Sequence, residues 1–84
     1  MSRQIISRYI VVDSQICHGK PTFRGTRIMV ADVLEMVARG LAWETIIDQW
    51  HGSITKDAIA EAVRLAGQAL LEHIDEYVVE TISA

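Results

Sequence analysis

Eighty-four residues, half of them hydrophobic and 23% charged, allow one small domain and argue against a disordered chain. No apolar run approaches the roughly 18 residues of a membrane span, and a lone Cys17 can form neither an internal disulfide nor a thiolate metal cluster. The net charge of −3 conceals a division: residues 1–40 hold six cations and three anions, a balance of +3, and residues 41–84 hold two cations and eight anions, a balance of −6.

Gln4 and Arg8 bracket Ile5-Ile6 too closely for a signal peptide's apolar stretch, so the expected setting is cytoplasmic, with no membrane contact. The first structured element is extended. Tyr9-Ile10-Val11-Val12 is rich in β-branched and aromatic residues and is closed by Asp13-Ser14. A connector over residues 15–20 places Gly19 just before the only proline, Pro21. Two short runs follow, residues 21–24 and 27–30, on either side of Gly25-Thr26. A glycine opening a two-residue loop predicts a type II′ hairpin, because glycine accepts the positive φ of the first central position. Thr22 and Arg24 then alternate with Phe23, and the arginines flanking the turn are expected on one face.

From Val30 the period becomes helical. Val30, Val33, Leu34 and Val37 form one apolar stripe, and Gly40 stands where a C′ glycine belongs. A shorter helix is predicted over residues 43–50, with Trp43, Ile46, Ile47 and Trp50 inward and Glu44 in its first turn; residues 51–54 break it. Thr55 is the expected N-cap of a third helix, with Asp57 in its first turn. The stripe Ile59, Val63, Ala66, Leu70, Ile74, Tyr77 (or Val78) and Ile82 carries that helix almost to the end, weakened only at Gly67.

A helix over residues 56–82 would reach roughly 40 Å at 1.5 Å per residue, more than the two short helices can cover. Its distal apolar residues Leu70, Leu71, Ile74, Tyr77 and Val78 are therefore the expected partner or dimer interface. The cover is a second copy or a different protein; alternatively, Gly67 is a hinge that folds the end back as a fourth helix. The predicted organisation is one mainly α domain: a β element and hairpin over 9–30, a three-helix body over 30–67 and a helical extension over 68–84.

The run Ile16-Cys17-His18-Gly19-Lys20-Pro21-Thr22-Phe23-Arg24-Gly25-Thr26-Arg27-Ile28-Met29-Val30 contains the pattern G-K-P-x-[IF]-x-G-T-R-[IV]-x-V. It is similar to the signature of a widespread prokaryotic family of small proteins, first catalogued as a domain of unknown function. Gly40, Trp43-Glu44 and Ile54-Thr55-Lys56-Asp57-Ala58-Ile59 extend the resemblance over roughly residues 9–67. It implies a homeodomain-like fold, three helices with a helix-turn-helix-like pair behind a small β element. It also implies an antitoxin, since members are often encoded beside a PIN-like ribonuclease. Ala42 stands where serine is common and Trp50-His51-Gly52 replaces the commoner Tyr-Pro, departures that bear on local stability.

The chemistry in reach is binding. In a helix-turn-helix the second motif helix reads the major groove, yet the front of the third helix sets Lys56 and Arg64 against Asp57 and Glu61, and the second helix has no cation. Lys20, Arg24 and Arg27, around the tight turn, are the better candidates for phosphate contact with operator DNA, with Arg3 and Arg8 in reserve. The competing reading pairs Arg24 and Arg27 with the protein's own carboxylates.

Cys17-His18 has no third orienting group, His18, His51 and His73 have no ligand spacing, and Gly19-Lys20 runs into Pro21 rather than a phosphate loop's Ser or Thr. No enzyme activity, metal or cofactor is expected. Trp43 and Trp50, two turns apart, anchor the short helix in the core or form an aromatic patch for a partner. Glu72, Asp75, Glu76 and Glu80 form either a solvated face or an acidic clamp for a basic ribonuclease surface. The expectation is a dimeric, non-enzymatic antitoxin-like module. The alternatives are a stand-alone interaction dimer without nucleic acid and a regulator acting without a toxin.

Overall fold

The computed structural model describes residues 3–77. Its β-branched run forms the central strand of a three-stranded antiparallel sheet, ordered β1 (Arg3–Ile5), β2 (Ile10–Asp13), β3 (Thr22–Phe23). Arg3 lies opposite Asp13 and Ile5 opposite Val11, while Ile10 lies opposite Phe23 and Val11 opposite Thr22. Side chains alternate across a strand, so Ile10 and Phe23 face the helices and Val11 and Thr22 face away. All four are buried.

The strand element is larger than the sequence indicated. Every residue of β1 is exposed, so no apolar alternation marks it, and only the backbone ladder to β2 holds it.

Behind the sheet lie three helices, α1 (Val30–Ala38), α2 (Trp43–Gln49) and α3 (Lys56–Glu72). The end of α1 is a Schellman motif: Gly40 N–H donates to Val37 O at 3.0 Å and Leu41 N–H to Met36 O at 3.2 Å, with Gly40 at φ +86°. The end of α2 repeats it one position before the glycine. His51 takes the left-handed C′ place at φ +55°, and Gly52 N–H donates to Ile47 O at 2.9 Å. Thr55 caps α3, its hydroxyl accepting from Ala58 N–H at 3.2 Å.

Phe23, Val33, Ile46, Ile59 and Ala62 form the centre of one buried cluster, with Trp43 and Trp50 packed half-buried against it. No helix among the described residues is long and apolar enough to cross a membrane.

The third helix is shorter than its apolar stripe predicted. It runs unbroken through Gly67, so no hinge forms there, and ends at Glu72, about 26 Å from its start at 1.5 Å per residue. A short 3₁₀ turn, Ile74–Tyr77, follows. From Ala66 to Glu76 every residue is exposed. A helix end with nothing to pack on has only its intrinsic propensity to hold it, which is marginal in water. Val78, Glu80 and Ile82 lie outside the described residues.

Candidate nucleic-acid interface

The turn that carries Arg24 and Arg27 is built by Gly25 and Thr26. Thr26 N–H donates to Phe23 O at 3.0 Å, which closes a β-turn over residues 23–26 with Gly25 third, at φ +81°. Positive φ at that position is the requirement of a type II turn, so the expected II′ geometry is not formed. The hairpin instead closes one step later, with Phe23 N–H donating to Ile28 O at 3.0 Å and Thr22 bridging Met29.

Thr26 locks the resulting four-residue loop. Its hydroxyl donates to Phe23 O at 2.8 Å and accepts from Ile28 N–H at 2.9 Å. Thr26→Val keeps the shape and removes both bonds. The expected loss is about 1–3 kcal/mol, from two hydrogen bonds each worth roughly 0.5–1.5 kcal/mol net. Urea denaturation checks it, with Thr26→Ser recovering most of the loss.

A second turn braces the loop from below. Cys17, His18 and Gly19, within the connector expected over residues 15–20, have successive positive φ values of 51°, 59° and 78°, a left-handed turn. It carries the Cys17 thiol to 3.4 Å from Arg27 O, where it donates a weak hydrogen bond. Cys17 is thereby half-buried and His18 exposed.

The longer loop separates the two arginines, which were expected on one face. Arg24 lines a cleft of about 150 Å³ with Arg8, Tyr9, Ser53 and Thr55, at the start of α3. Arg27 lines a cleft of about 490 Å³ with Arg3, over Val11 and Ile16, and Asp13 forms part of the wall. The Arg8 guanidinium lies over the Tyr9 ring, 5.6 Å from its centroid. Lys20 is exposed and lines neither cleft.

The ion pairs among the described residues are Arg64–Glu61 at 2.7 Å and His73–Glu76 at 3.1 Å. Arg3, Arg8, Lys20, Arg24 and Arg27 thus have no carboxylate partner among those residues. On α3 the reverse holds. Arg64 is held by both oxygens of Glu61 and by Gln68 at 3.5 Å, which leaves only Lys56, beside Asp57, as a free cation among its described residues.

At the other end of the molecule Leu70, Leu71 and Ile74 are 47%, 77% and 48% exposed. Glu72, Asp75 and Glu76 are exposed beside them, and Tyr77 belongs to the 3₁₀ turn. No three His, Cys, Asp or Glu side chains converge among the described residues.

A family model described as Protein of unknown function (DUF433) matches residues 10–66. That span, well over half the chain, holds β2, β3, Arg24, Arg27 and the three helices as far as Ala66. It excludes β1 with Arg3, and also Arg8 and the exposed end of α3. No curated protein and no solved structure matches the chain.

Proposed function

The chain belongs to the DUF433 family, and we propose that it is an antitoxin-like, non-enzymatic binding protein with a homeodomain-like body. In this reading it binds operator DNA as a dimer through its basic front and neutralises a PIN-like ribonuclease through the far end of α3.

The observation that carries the reading is the set of four arginines without internal partners among the described residues, held in two clefts on either side of one hydrogen-bonded turn. Arginine forks suit phosphate oxygens, and a short braced loop loses little entropy when it orders them on a duplex. Gly25, with no side chain at the tip, lets the backbone approach closely. The smaller cleft also opens on the start of α3, where the helix dipole favours an anion. Lys20 adds charge beside the turn.

At the acidic end, the exposed Leu71 supplies buried area and Glu72, Asp75 and Glu76 supply attraction to a basic ribonuclease surface. One specific observation also favours the stand-alone interaction dimer: the apolar end of α3 needs a cover with or without DNA at the front.

Binding to the promoter DNA upstream of its own gene, followed by mobility shift across salt concentrations, tests the DNA half. A dimer placing about eight arginines on phosphates should lose roughly 10³–10⁵ in affinity between 50 and 200 mM salt. Absent or salt-independent binding retires that half.

A further inference from the structure

A wholly apolar groove of about 250 Å³ runs between the sheet and the helices, lined by Ile6, Pro21, Leu34, Leu65 and Ala66 among others. It opens on the same helix whose next turns are bare. Val63 and Leu70, seven apart on α3, form an exposed ridge beside Ala66, and Ile74 follows in the 3₁₀ turn. We infer that the groove and the ridge cover each other in a second copy of this chain, with the two α3 helices crossing antiparallel at the level of Gln68. This rests on the reading of the protein as a dimer and names the surface that makes it one.

Two features of the molecule select that occupant. First, a groove and a ridge four residues apart on one helix are complementary to themselves under a twofold axis midway between them, and an isologous contact is closed by construction. The crossing sets Leu70 of each copy against Ala66 of the other, at the groove's edge, so each ridge enters the facing groove. The small side chains of Ala66 and Ala69 let the helices approach closely. A chain of this size gains proportionally more from such burial than a large domain does.

The second feature is charge. Antiparallel packing carries Asp75 and Glu76 of one copy toward the half of the partner with the net positive charge. Ile6 and Pro21, which line the groove, stand within two residues of Arg8 and Lys20. The attraction is gained twice, once at each end of the crossing. A parallel crossing would stack the acidic ends on each other.

Mixed single-cysteine variants test the register. In a Cys17→Ser background, Ala66→Cys and Leu70→Cys proteins are combined, exchanged and mildly oxidised. The expected product is a 66–70 cross-linked heterodimer in the mixture, absent from either variant alone and from a control mixture of Lys56→Cys with Leu70→Cys. Light scattering on a sizing column should show the wild type at twice its monomer mass. Leu70→Glu should run at monomer mass with unchanged helical circular dichroism, since Leu70 is not part of the core.

A wild-type monomer would overturn the inference. So would a dimer that ignores Leu70→Glu and gives no 66–70 cross-link, although the dimer itself would then survive with another interface. A chain that is monomeric alone and pairs only with the ribonuclease assigns the face to that protein, which overturns the inference and leaves the toxin reading standing.

Discussion

Phe23→Ala should leave the protein unfolded or nearly so at ordinary temperature. Phe23 is 2% exposed and is the pivot between sheet and helices: its ring enters the helical core opposite Ile10, and its backbone closes both the hairpin and the β-turn. Removing a buried phenylalanine side chain costs about 3–5 kcal/mol, against a total stability of about 5–15 kcal/mol for a whole domain. An 84-residue chain belongs at the low end of that range, because its core is thin. At roughly 4–8 °C per kcal/mol for a domain this small, the melting temperature should fall by about 12–40 °C. Phe23→Leu, which retains much of the volume, should stay folded. A Phe23→Ala protein melting within a few degrees of wild type would show that the sheet is not clamped to the helices through this residue.

The Arg24→Ala/Arg27→Ala double variant is the functional counterpart, and it should fold normally while losing operator binding. Both side chains are exposed and neither has a carboxylate partner among the described residues, so their removal should change stability by only about 0.5 kcal/mol. Each cation withdrawn from a phosphate lowers the slope of log affinity against log salt by about one, so a dimer missing two arginines per copy should show a slope smaller by about four. The clefts also predict a ranking. Arg3→Ala and Arg8→Ala, which empty the same two clefts from their other walls, should each weaken binding more than Lys20→Ala, which lines neither. Substituting lysine at 24 and 27 should preserve the slope and remove only the bidentate component of each phosphate bond. Wild-type affinity and slope in the alanine variant would place the DNA-binding surface elsewhere.

Parts of this architecture are legible in the amino-acid order because local chemistry suffices for them. Gly40 after the Val30–Val37 stripe announces a helix end, and Thr55 followed by Asp57 announces a helix start, since both are decided within one turn of backbone. The type of the Gly25 turn is not local in this sense. A positive φ suits glycine at the first central place of a two-residue loop or at the third place of a type II turn. The pairing of Phe23 with Ile28 across the loop decides between them.

The same non-locality applies to the candidate site, where Arg3 and Arg8 are legible only as reserve cations and their clefts are not. Arg3 reaches Arg27 only because β1 pairs with β2, and β1 has no apolar alternation to betray it. Arg8 meets Arg24 only because the turn before β2 folds against β3 and the start of α3. The overlong third helix errs in the opposite direction. An apolar stripe reports which residues could be buried on one face, not whether a surface exists to bury them, and past Leu65 none is supplied by the chain's described residues.

The most direct measurement is ribonuclease activity in the presence of this protein. Where a PIN-like ribonuclease reading frame neighbours this gene, its product should co-elute with this protein after co-expression, and stoichiometric addition of this chain should silence RNA cleavage. A Leu71→Glu variant, altered at the most exposed of the apolar residues, should fail to silence it. Undiminished cleavage in an excess of the wild-type chain, with the two proteins eluting apart, would contradict the antitoxin reading.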